Sequence, residues 1–261
     1  MKSTFVHGQV VAIIAAGALF TTLFAPAAGG HEIVGWGNQK TPNAPLTNLT
    51  KIAAGYEHNL ALKSDGTIVG WGYNEFSQAT PPAGNDFTAV AAGTYHSLAL
   101  KSDGSIVGWG DNEYGAATPP AGNDFTAVAA GMYHSLALKS DGSIVGWGNN
   151  EDGQATPPEG NDFIAVAAGG YHSLALKSDG SIVGWGYNGD GRATPPEGND
   201  FLAVAAGGDG SLALKSVPCQ FVLAGDLNDD CKVDLEDFAM TANNWLVDCS
   251  ETPSNPACVP K

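Results

Sequence analysis

The sequence predicts an all-β fold: a five-bladed β-propeller closed by its own N- and C-terminal half-repeats, followed by a small calcium-loop and helix module. Three observations carry this. The phrase SLALKSDGSIVGWG at 97–110 returns at 135–148 and 173–186, with a near copy, NLALKSDGTIVGWG, at 59–72. Trp71, Trp109, Trp147 and Trp185 recur at a period of 38 residues, in the range of propeller and solenoid repeats. Finally, the repeat region opens on one half of the phrase and ends on the other half.

The first element is an address label. Lys2 precedes an apolar run from Val10 to Phe24, which ends at Ala25-Pro26-Ala27, a small-x-small cleavage signature. The run is short for a bilayer span. Residues 1–28 therefore read as a secretory signal peptide, with the mature chain secreted, extracellular or at the cell surface and not membrane-embedded.

The propeller region is expected over 31–216. It begins with His31-Glu-Ile-Val-Gly-Trp-Gly37, which is only the second strand of a hairpin. In each full unit the alternation in SLALK and SIVGW has a period of two, and Asp-Gly joins the runs, which predicts a hairpin with a tight primed turn. A third β-prone run, such as FTAVAAG at Phe87 to Gly93, precedes it, so each blade has at least three strands. Thr-Pro-Pro and Gly-Asn, as at Thr118 to Asn123, make the link between blades, because proline cannot donate to a ladder. The last copy, Phe201 to Ser216, lacks the IVGWG strand that the N-terminal fragment carries. Four whole units and one shared unit give five blades, and neither end resembles the polar cap that a solenoid needs.

The unit Gly-x-Tyr-His-Ser-Leu-Ala-Leu-Lys-Ser-Asp-Gly-Ser-Ile-Val-Gly-Trp-Gly-x-Asn resembles the regulator of chromosome condensation repeat, over roughly Ile33 to Ser216. Its length is similar to that in the bacterial propeller-type β-lactamase inhibitor proteins. Both groups usually have seven blades, and the count here departs from that. Nucleotide exchange by the eukaryotic founder depends on an inserted wedge; no repeat here carries a long insertion, so that activity is not expected.

His58, His96, His134 and His172 occur once per unit. They are expected as buried histidines bridging the strands of each blade, and Gly210 replaces the histidine in the last copy. The tryptophans and Tyr95, Tyr133 and Tyr171 are expected to pack between blades. Scaffold positions stay fixed, while the stretch after each Trp-Gly varies: YNEFSQ from Tyr73, DNEYGA from Asp111, NNEDGQ from Asn149 and YNGDGR from Tyr187; the residue before the repeat tyrosine varies too, as Thr94, Met132 and Gly170. Loops on a rigid scaffold are where binding surfaces are placed, so Tyr73, Phe76, Glu113, Tyr114, Asp152, Tyr187 and Arg192 are the candidate partner-binding residues. A net charge of −16, with Arg192 the single arginine, argues against a nucleic-acid partner.

The composition changes in the tail, residues 217–261. Asp226, Asn228, Asp230, Lys232, Asp234 and Asp237 fall at positions 1, 3, 5, 7, 9 and 12 of a Ca²⁺ loop, Lys232 contributing its carbonyl. An apolar helical run, Phe238 to Leu246, follows. Cys219, Cys231, Cys249 and Cys258 form an even cluster in an exported chain, which implies two disulfides with three possible pairings; a zinc site is the alternative. The loop looks like half of a type I dockerin, and that resemblance implies a cohesin-like partner. Dockerins carry two such loops, and Cys231 stands where position 6 is normally glycine.

The expected function is that of an exported, non-catalytic binding or scaffold protein, recognising a protein or glycan through the propeller and docking through a Ca²⁺-dependent tail. The alternatives are a polysaccharide-degrading component with glycoside hydrolase activity, using acids such as Glu75, Glu113, Glu151, Asp152 or Asp190, and an inhibitor of a secreted enzyme.

Overall fold

The structure, a computed structural model, describes residues 33–35, 41–42 and 46–216. The segments expected as signal peptide, 1–28, and calcium loop, 226–237, and the four cysteines lie outside these residues. Contacts divide the chain into a unit ending at Lys215 and a second one from Ser216.

The described residues fold into fourteen strands, grouped as four three-stranded antiparallel sheets and one two-stranded sheet. The first blade comprises β1 (Leu49–Ala54), β2 (His58–Lys63) and β3 (Ile68–Gly72). Blades two to four repeat it as β4 (Phe87–Ala92), β5 (His96–Lys101) and β6 (Ile106–Gly110); β7 (Phe125–Ala130), β8 (His134–Lys139) and β9 (Ile144–Gly148); and β10 (Phe163–Ala168), β11 (His172–Lys177) and β12 (Ile182–Gly186). The fifth comprises β13 (Phe201–Ala206) and β14 (Ser211–Lys215). The register is the same throughout, with Leu98 opposite Gly108 and Leu100 opposite Ile106 in the second blade.

The Asp-Gly turn differs from the primed turn expected. Lys63 N–H donates to Thr67 O at 2.9 Å and Gly66 N–H to Lys63 O at 3.0 Å, which makes a three-residue loop, Ser64-Asp65-Gly66. Only the glycine has a positive φ, +80° at Gly66. This is a type I turn closed by a glycine bulge. The cause lies one residue past the glycine: Thr67 donates its amide at 3.0 Å and its hydroxyl at 2.7 Å to Asp65 Oδ1. Those bonds hold the aspartate at negative φ, and Ser105, Ser143 and Ser181 repeat them.

The core lies between blades. Leu98 and Leu100 of β5 pack with Phe125, Val128 and Ala130 on β7 of the next blade, and Leu136 and Leu138 meet Phe163, Val166 and Ala168 in the same way. Each fully buried leucine contributes roughly 1.5–3 kcal/mol. First strands also touch successive first strands, β4 to β7 and β7 to β10, which places them at the narrow side of the fan. Trp109, Trp147 and Trp185 pack against these clusters, as expected.

The two ends of the fan differ from its interior. The valine that faces the preceding blade is at most 7% exposed in blades two to five, whereas its counterpart in the first blade, Ile52, is 42% exposed. Leu98 and Leu136 are completely buried, while their counterpart Leu212 is 67% exposed. Among the described residues β14 pairs only with β13, and Ile33, Val34 and Gly35 form no strand. The expected closing strand at 33–37 and five-blade closure are thus not formed by the described residues.

Candidate functional site

Strand direction fixes which loops share an end. The middle strand of each blade runs from its histidine to the Asp-Gly turn, so the Ala-Ala-Gly-x-Tyr loops and the loops after Trp-Gly lie together at the opposite end. Glycine is required here by close approach: a Cβ on Gly93 would stand 2.5 Å from Gly131 O on the next blade and 2.6 Å from the His96 ring. The loops are joined in sequence by Tyr56 N to Gly93 O at 3.3 Å, Thr94 N to Gly131 O at 3.3 Å and Met132 N to Gly169 O at 3.2 Å.

Beneath them lies a buried latch. His58, His96, His134 and His172 reach Ser97, Ser135, Ser173 and Ser211, at 2.8 to 2.9 Å. The histidines are buried, as the sequence predicted, but they bridge blades rather than strands of one blade. Ser97 Oγ–H donates in turn to Gln78 O at 2.9 Å, and Trp109 Nε1–H donates to the same carbonyl at 2.8 Å. Since the serine proton is engaged by the carbonyl, the histidine must donate from Nε2–H, which leaves Nδ1 bare. Nδ1 of His58, His134 and His172 accordingly lacks a partner. Desolvation pushes His96 and His134 down to about 3, and His58 and His172 to about 4, with Arg192 also lowering His172. The imidazoles are neutral across the physiological range. Among the described residues no group of three His, Cys, Asp or Glu side chains is arranged to hold a metal.

The loops after Trp-Gly are clamped, not loose. Asn112 Nδ2 donates to Thr118 Oγ1 at 2.8 Å, and Ala117 N–H donates to Asn112 Oδ1 at 3.0 Å; Asn74, Asn150 and Asn188 repeat the arrangement. The constant Asn and Thr flank the variable residues, and their constancy is the sequence feature that marks a built loop.

The candidate residues fall into two groups. Tyr73 and Phe76 lie 6.2 Å apart between ring centroids, Phe76 and Tyr95 5.5 Å, Tyr95 and Tyr133 6.5 Å, and Tyr133 and Tyr114 5.0 Å. Tyr95 and Tyr133 do contact each other across blades, but they are half-buried in the rim, a placement that repetition alone concealed. The Tyr73 hydroxyl donates to Glu75 at 2.7 Å, which raises its pKa, and burial raises that of Tyr133.

The second group is charged. Arg192 bonds Asp190, reaches Asp209 at 2.6 Å and stacks 5.0 Å from the Tyr187 centroid. Asp152, Tyr171, Tyr187, Arg192 and Asp209 line one open cleft of about 310 Å³. Tyr171 and Asp209 join the predicted residues. Glu113 stands exposed, its amide donating to Asp111 Oδ1 at 3.2 Å. Of the acids considered for hydrolysis, Glu75 is engaged by Tyr73 and Asp190 by Arg192.

Comparison with known proteins agrees with this geometry. The regulator of chromosome condensation (RCC1) repeat matches at 49–78, 87–116, 125–154 and 163–192, each match running from a first strand to the end of a clamped loop. No curated protein matches the chain in sequence. Similar solved structures include the ectodomain of the Physcomitrella patens receptor kinase CR4, with 26% identity and a TM-score of 0.58 over 69% of this chain and 52% of that one. The CRINKLY WD40 ectodomain of the Arabidopsis thaliana receptor kinase ACR4 shows 25% identity and 0.55, covering 67% and 65%. Prp20p from Saccharomyces cerevisiae shows 21% identity and 0.55, covering 78% and 62%. The chain thus spans between half and two thirds of the length of these structures.

Proposed function

We propose that this chain, an all-β array of RCC1-type repeats, is a non-catalytic binding protein that recognises a protein partner through the end carrying the loops after each Trp-Gly. The carrying observation is the run of five aromatic rings, Tyr73, Phe76, Tyr95, Tyr133 and Tyr114, held half-exposed over three rigid blades. Aromatic side chains on a fixed scaffold supply large contact area at low entropic cost. Likeness of fold supports a protein as the partner, since Prp20p is described with its binding to Gsp1p and histones.

Three finer readings belong to the same proposal and rest on sequence. Export rests on the leader at 1–28, and Ca²⁺ held by residues 226–237, docking the chain to a cohesin-like domain, on the loop spacing. Completion of the fifth blade rests on identity of the segment 33–37 with β3, β6, β9 and β12. In blade five Ser211 Oγ–H already donates to Arg192 O at 2.7 Å, the carbonyl position that takes a second donor from tryptophan in the preceding blades, and Trp36 would supply it.

The test is capture of partners from extracellular fluid by the full chain, with and without chelator. Replacing Tyr114 and Tyr133 by alanine should abolish the chelator-resistant fraction, and Asp226→Ala the chelator-sensitive one. Retention of every partner by the tyrosine variant would overturn the recognition reading.

A further inference from the structure

The Arg192 cleft breaks the repeat at three positions at once. Where earlier units carry Gln78, Ala116 and Gln154, the fourth has Arg192; where units two to four carry Tyr95, Tyr133 and Tyr171, and the first Glu57, the fifth has Asp209, followed by Gly210 in place of histidine. Two of these departures bond each other across blades four and five. Resting on the reading of this end as the recognition face, we infer that the cleft receives a cationic side chain, lysine or arginine, of the protein partner.

Charge and engagement argue for it. The Arg192 side chain is only 7% exposed, each of its Nη atoms donates one bond, to Asp190 and to Asp209, and its plane covers one face of Tyr187. Arg192 is therefore a brace, not a docking point for an anion. One cation, Arg192, against the two lining carboxylates of Asp152 and Asp209 leaves the cleft negative, and Asp209 binds Arg192 through Oδ1, keeping Oδ2 for a ligand. Tyr171 adds an aromatic ring to the lining, and such rings attract cations. A volume of about 310 Å³ suits one side chain or one small ligand. A neutral sugar would use the rings and leave the net charge unmatched.

The test is calorimetric titration of the full chain with tetralysine, tetraarginine, tetraglycine and cellotetraose. The basic peptides should bind, more weakly as salt is raised, and tetraglycine should not. Asp209→Asn and Asp152→Asn should each weaken tetralysine about ten-fold, as loss of a charged hydrogen bond does, whereas Asp124→Asn at the turn end should change nothing. Asp152 makes no bond to Arg192, so its substitution reports on the cleft without disturbing the brace. Equal affinity in all three variants would overturn the inference in favour of diffuse attraction, as would binding of cellotetraose without tetralysine. Failure of tetralysine while Tyr133→Ala still abolishes partner capture would remove the cationic ligand and leave the recognition face standing. Cleft-dependent tetralysine binding with partner capture indifferent to every rim substitution would uphold this inference and remove the proposed face.

Discussion

Blades two and three meet at the rim over Tyr95 and Tyr133, blades four and five over Arg192 and Asp209, yet the two junctions are built alike below that level. Leu98 and Leu100 face Phe125 and Val128 in one, and Leu174 and Leu176 face Phe201 and Val204 in the other. His96 reaches Ser135 at 2.8 Å, as His172 reaches Ser211. The scaffold and the rim are therefore separable: packing and the latch set the blade spacing, and the rim residues are left to carry chemistry.

The largest expected effect tests the shared scaffold. Leu98→Ala and Leu174→Ala should each cost about 2–5 kcal/mol in denaturant unfolding, while Leu212→Ala, on the exposed end strand, should cost well under half of that. A full penalty at Leu212 would show that its face is covered and the ring closed.

Acid should weaken both junctions. The histidine pKa values are lowered in the fold to about 3 or 4, so the unfolded chain binds protons first as pH falls. The histidine contribution to stability is full above about 6.5 and is lost as pH drops from there toward 4, a trend readable as a falling thermal midpoint. His134→Gln should flatten it; an unchanged slope would show that other groups dominate.

Smaller effects separate the rims. Tyr133→Ala removes contacts to Tyr95 and Tyr114 and should lower stability by about 1 kcal/mol. Arg192→Gln, the residue found at the equivalent Gln154, should change stability by less than about 1 kcal/mol, because both partner carboxylates are well exposed. It should also raise the His172 pKa, since Arg192 helps to hold it down; an NMR titration would show the shift.

The strands, their order and the blade repeat were legible because a period of two, an Asp-Gly turn and a fixed 38-residue spacing are local or arithmetic signals. The loops after Trp-Gly were legible because they vary while their neighbours do not. What local pattern does not encode is the identity of a partner a whole repeat away. His58 meets Ser97 across 39 positions, so the histidine was recognisable as buried but not as a latch between blades. The turn type depended on a hydrogen bond from the residue after the glycine. Tyr95, Tyr133 and Tyr171 repeat like core residues, and only the fan geometry turns them half outward; Asp209 gained its meaning when folding brought it to Arg192. Alternation tells which side chains share a face, but what covers that face depends on blade-to-blade packing, a long-range property that no window of sequence contains.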